Sequence, residues 1–96
     1  MKITLQPHLK IRLKQRQIPQ DYPEKVITKP ESKYFDNLTK HLIAIRGLKY
    51  NKKLRPMAVS YDIIENEIQV ITIHPISKQE ITNKVQRERW AKNEED

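Results

Sequence analysis

The sequence predicts an α+β domain with two N-terminal helices, an antiparallel meander sheet of three to four strands, and a C-terminal helix. Three observations carry this. Apolar and polar residues alternate on both sides of Glu65-Asn66 between Arg55 and Ile76, which marks a β-hairpin. Leu5, Leu9 and Leu13 recur every four residues, the spacing of a helical core stripe. Ser77 is followed three residues later by Glu80, the signature of a helix capping box. A chain of 96 residues is long enough for one modest core, so residues 1–96 are read as a single domain.

The elements follow in chain order. Ile3 to Leu5 is a short strand. Pro7 occupies a first-turn position, and His8 to Gln17 form the first helix until Ile18-Pro19 ends it. His8, Arg12 and Arg16 make a second stripe beside the leucines. Asp21 or Tyr22 caps a second short helix that has Pro23 in its first turn. Tyr22, Val26 and Ile27 form its inward face, and Lys29-Pro30 stops it. Ser32 to Thr39 reads as strand and turn, the turn at Asp36-Asn37. Lys40 to Tyr50 is a long strand in which His41, Ile43 and Ile45 alternate with Leu42, Ala44 and Arg46. Asn51-Lys52-Lys53 is the loop into the main hairpin.

In that hairpin, Glu65 and Asn66 are the loop residues and Ile64 faces Glu67. Met57, Val59, Tyr61, Ile63, Ile68, Val70, Thr72 and His74 then share one face; a one-residue slip would exchange the faces of one strand. Val70 to Ile73 is apolar on both sides, as in a central, covered strand. It ends at His74-Pro75, since proline donates nothing to the ladder. The last helix spans residues 77–92, stapled by Ile76 and Ile81, with Ile81 and Val85 inward and Trp90 near its end. Residues 93–96 are read as a disordered acidic tail. Short connections favour all helices on one face of the sheet.

Charge is the most informative global property. The net charge is +7, but residues 1–60 hold 14 basic against 4 acidic residues (+10), and residues 61–96 hold 5 against 8 (−3). A basic body implies a polyanion partner, RNA or another nucleic acid. A lysine-rich solvated surface gives the same composition. Cysteine is absent, which excludes disulfides and thiolate metal sites, and three histidines without metal-ligand spacing leave no metal or cofactor expected. No apolar run approaches membrane-spanning length and no signal peptide is visible, so a cytoplasmic protein with no membrane partner is expected.

The pattern HxxxRxxxRxI (His8, Arg12, Arg16, Ile18), then VIxxP (Val26, Ile27, Pro30), then the strand VITIHPI, resembles a family of small domains of unknown function grouped with the RelE/ParE-like toxins. The resemblance covers most of residues 7–76. It implies N-terminal helices packed on a twisted antiparallel sheet, with RNA lying across the concave sheet face and its basic surroundings, and a small acidic antitoxin as partner. Lys40–Lys53 is longer than the family pattern and the capped final helix is additional. The family supplies no settled catalytic set.

Metal-independent RNA cleavage needs a base for the 2′-hydroxyl, a cation for the phosphate and an acid for the leaving oxygen. The catalytic candidates are His74, Arg46, Arg55 and Tyr61, near the ends of the central strands. His74 titrates near neutrality and stands where a strand opens into a helix N-terminus; its plainer role is a strand-end residue with one hydrogen bond. The nucleic-acid-binding candidates are Arg16, Lys49, Lys52, Lys53 and Arg55, with Tyr50 as an aromatic face for a base. Those lysines also suit a protected loop. Arg12 is read as structural, pairing with Asp62 or Glu67 over the sheet. The functional alternatives are a toxin-like endoribonuclease, a non-catalytic nucleic-acid- or protein-binding module, and a homodimer formed through a sheet edge or Trp90.

Overall fold

The structure, a computed structural model, describes residues 1–93. The order is β1 (Lys2–Leu5), α1 (Pro7–Gln15), α2 (Tyr22–Thr28), β2 (Ser32–Asp36), β3 (Leu42–Tyr50), β4 (Lys53–Ile64), β5 (Glu67–Pro75), α3 (Lys78–Gln86) and β6 (Trp90–Lys92). The α+β class is as expected, but the sheet has six strands, ordered β1-β5-β4-β3-β2-β6. All neighbours are antiparallel except β1, which runs parallel to β5 at one edge. The four residues of β1 hold because Ile3 and Leu5 pack against the main core.

Two long hairpins form the centre. Asn51-Lys52 joins β3 to β4 and Glu65-Asn66 joins β4 to β5, and all four residues have positive φ (52°, 66°, 51° and 63°). Positive φ at both loop residues gives the twist that matches paired strands. Neither turn holds a glycine. Lys53 therefore belongs to β4, opposite Tyr50, rather than to the loop.

The expected register holds from Ile64↔Glu67 to Tyr61↔Val70. A bulge between Ser60 and Tyr61 then leaves Ile71 as an extra residue, and pairing resumes at Ser60↔Thr72. Beyond it the predicted faces of β5 are exchanged. Ile73 joins Met57, Val59, Tyr61 and Val70 in one core, while Thr72 and His74 turn to the other face. The cause lies in the apolar spacing. Val70 and Ile73 are both fully buried in the same core although three residues apart, which a period-two strand permits only with one residue added.

Helices cover both faces, not one. Leu9 and Leu13 of α1, Ile18 of the connection between the helices and Val26 of α2 pack on Ala44, Met57, Val59, Val70 and Ile73. The opposite face carries a smaller core of Ile43, Ile45, Ala58, Ile76 and Trp90, with Ile81 of α3 against it.

The C-terminal segment departs most from expectation. Its capping box is present: Ser77 Oγ accepts from the Glu80 N–H, and Glu80 Oε1 accepts from the Ser77 N–H. The helix ends at Gln86, however, and Glu88 at φ 59° redirects the chain. Trp90–Lys92 then pairs with β2 as an edge strand. What captures it is Trp90, which stacks on Tyr34 (centroids 5.4 Å apart) and donates its indole N–H to Asp36 at 3.2 Å. Trp90 is thus a buried anchor on the sheet, carried by a strand rather than by the last helix. Asn93 extends this pairing through Lys33 O, so the predicted tail does not begin there; residues 94–96 of it lie outside the described residues.

Candidate functional site

β1 stops pairing at Leu5↔Val70, so among the described residues the last part of β5 has no strand on that side. Alongside it runs α1, held down by buried Leu9 and Leu13. Arg12 and Arg16 each follow one of these leucines by three residues, which sets their stems beside the apolar stripe and their heads at its edge. With Leu9, Thr72, Ile73 and His74 they line a cleft of about 330 Å³. The expected pairing of Arg12 with Asp62 or Glu67 does not form. Asp62 is taken by His41, and Glu67 accepts the Thr4 hydroxyl. Among the described residues no carboxylate pairs with Arg12 or Arg16.

Electrostatics sharpens the cleft. Partial burial pushes the His74 imidazole below its ordinary pKa; Glu80 opposes that, and Lys84 and Arg16 add to it. His74 is therefore largely uncharged at neutral pH, with Lys84 and Arg16 as the cations that act on it.

The hairpin of β3 and β4 is fastened to this end. Tyr50 Oη donates to the Arg16 carbonyl at 2.9 Å, Tyr22 Oη to the Lys49 carbonyl at 2.6 Å, and Arg55 Nε to the Tyr50 carbonyl at 3.2 Å. Lys49, Lys52 and Lys53 project into solvent from the same hairpin. Arg55 lines a second cleft, of about 430 Å³, with Leu54, Pro56, Pro75, Ile76 and Glu80.

Two sequence candidates fall elsewhere. Arg46 turns under α2, where its guanidinium donates to the Lys25 carbonyl at 3.4 Å, so it does not join His74. Tyr61 is 7% exposed within the helix-side core and is part of the packing rather than of the cleft. Tyr50 is also partly committed, since its ring packs against that core and its hydroxyl holds α1.

Arg12, read from sequence as structural, lines the cleft instead of pairing over the sheet, and its spacing from His8 and Arg16 sets it on their stripe. Nothing adjacent in sequence marks a partner for His41. His41 Nδ1 lies 2.7 Å from Asp62 Oδ1, one step beyond the Leu42↔Tyr61 pair. Extending the β3–β4 register by one residue was the available signal. Among the described residues no group of three His, Cys, Asp or Glu side chains could hold a metal ion, and no helix is long and apolar enough to cross a membrane.

No protein family, curated protein or solved structure matches this chain in comparisons with known proteins. The site presents two guanidiniums without carboxylate partners among the described residues, one largely neutral imidazole, and a fringe of exposed lysines.

Proposed function

We propose that the protein is a toxin-like RNA-binding domain of the RelE/ParE kind that grips a backbone phosphate in the cleft of Arg12, Arg16 and His74, and that it acts as a metal-independent endoribonuclease of a toxin–antitoxin system. The observation that carries this is the pair of guanidiniums that, among the described residues, have no carboxylate partner and line one cleft with a largely neutral imidazole. Guanidinium forks match the oxygens of a phosphate and stabilise the charge that builds in the transition state. A neutral His74 can accept the 2′-hydroxyl proton. Lys49, Lys52, Lys53 and Arg55 extend the positive field along the strand. A small acidic protein fits the same surface as a cytoplasmic inhibitor.

The test is incubation with single-stranded RNA in EDTA. Cleavage is expected, and His74→Ala should abolish it while preserving binding. Cleavage undiminished in that variant removes His74 as the base.

A second reading is a non-catalytic RNA-binding module. It is favoured by one fact: of the four catalytic candidates only His74 lines the cleft, so no acid for the leaving oxygen accompanies it. Salt-sensitive RNA binding without turnover selects this reading.

A further inference from the structure

The two clefts at this end of the molecule are neighbours along β5. His74 lines the first and Pro75 the second, as consecutive residues of β5. Glu80, in the second, acts electrostatically on His74 in the first. The second cleft differs in character: Leu54, Pro56, Pro75 and Ile76 give it apolar walls, and Arg55 and Glu80 give it a polar rim. Its volume of about 430 Å³ is in the ordinary range of ligand pockets, about 300–1,000 Å³. Leu54 is the odd feature. It is 78% exposed, directly after Lys52 and Lys53 and across the ladder from Lys49.

We propose that this second cleft receives an unstacked nucleobase of the RNA strand whose phosphate the first cleft holds, and that the protein therefore selects single-stranded over duplex RNA. The proposal rests on the RNA reading above and adds the substrate class. Apolar side chains stack on the face of an extruded base, and polar rim groups read its edge. In a duplex the base stays paired and cannot enter. The rim also sets a preference. The capping box uses Glu80 Oε1, which leaves Oε2 to accept from an exocyclic amino group. Uracil has no such group, and its carbonyls repel a carboxylate. Adenine or cytosine is accepted in preference to uracil.

The test measures fluorescence anisotropy at low salt with oligo(A), oligo(U) and a duplex of equal length, together with Leu54 methyl shifts by NMR. Oligo(A) should bind more tightly than the other two and move the Leu54 methyls. Leu54→Ser should weaken oligo(A) binding roughly five- to tenfold and leave the duplex unchanged. Because Leu54 is exposed and Gln also serves in a capping box, both Leu54→Ser and Glu80→Gln retain the fold. Glu80→Gln should erase the preference for oligo(A) over oligo(U). Equal affinity for single strand and duplex, unaltered by Leu54→Ser, overturns the base cleft and leaves the RNA reading standing. No binding of any RNA at low salt overturns both.

Discussion

Arginine appears in two settings at opposite ends of the sheet, and the contrast separates structure from function. At one edge Arg89 Nε donates to Asp36 Oδ1 at 2.9 Å, and the same carboxylate accepts from the Leu38 and Thr39 N–H groups and from the Trp90 indole. Asp36 is 4% exposed. Burial alone would raise its pKa; the hydrogen bonds from Arg89, from the two backbone N–H groups and from Trp90 outweigh that and hold the carboxyl well below the usual carboxylate range. At the other edge Arg12 and Arg16 border an open cleft with no carboxylate partner among the described residues. A charge that is fully satisfied holds the fold; charges left open are available to a ligand.

The largest expected effect breaks the satisfied site. Asp36→Ala leaves Arg89, the indole N–H and two backbone N–H groups without their acceptor and should cost about 3 kcal/mol of stability in urea unfolding, as for other buried pairs that lose one partner. RNA affinity per folded molecule should not change. The pH dependence has a definite sign. A folded pKa below the unfolded value stabilises the protein above the unfolded carboxylate pKa, about 3.9, and that contribution is lost as pH falls below it. Stability should therefore decline on acidification through that window, and the decline should be shallower in Asp36→Ala.

Neutralising the open site should do the reverse. Arg12→Gln with Arg16→Gln should reduce RNA affinity roughly 10- to 100-fold and lower the slope of log K against log salt by about 1.4, the value for two phosphate contacts on a single strand. Stability should stay within about 0.5 kcal/mol, as for surface substitutions. A stability loss comparable to that of Asp36→Ala would mean that these arginines are structural and would end the comparison.

The contrast also explains what the sequence disclosed. Both hairpins, both N-terminal helices and the capping box were legible because their signals are local: alternation, proline at a first turn, Ser77 with Glu80. The bulge at Ile71 was not, because it is set by which of Val70 and Ile73 must meet the helices, a tertiary demand. The same holds for β6. Trp90 reads as a helix residue until Tyr34 and Asp36, more than fifty positions away, are known to face it. The cleft was half legible. Arg16 and His74 were chosen for their chemistry, whereas Arg12 depended on knowing that Asp62 goes to His41. Tyr61 and Arg46 lie away from the cleft, which alternation could not foretell because it gives a side chain's face but not what packs on that face.

A smaller effect tests how firmly the capped helix holds the second cleft. Ser77→Ala removes the acceptor for the Glu80 N–H and should cost about 1 kcal/mol, the usual value for an N-cap. Glu80 Oε1 keeps its bond from the residue-77 N–H, so the preference for oligo(A) over oligo(U) should persist, and the salt slope, set by Arg12 and Arg16, should stay constant. A fall in the slope would show that the two clefts do not divide phosphate from base contacts.

The smallest effect comes from His74, the one group in the open site whose charge can be varied without mutation. Burial, reinforced by Lys84 and Arg16 and opposed by Glu80, keeps its folded pKa below the unfolded value of about 6.5. Two consequences of opposite sign follow as pH falls below that value. Stability decreases, because the unfolded chain takes up the proton first. RNA binding tightens once the folded imidazole is charged, since a third cation then faces the phosphate. Each change should amount to less than about 1 kcal/mol at such a half-exposed site. Titrating affinity from pH 8 to 5 in the parent and in His74→Gln separates them, because the variant should lose the tightening but keep its affinity at pH 8. Tightening of equal size in both proteins would assign it to another group and leave His74 outside the phosphate's reach.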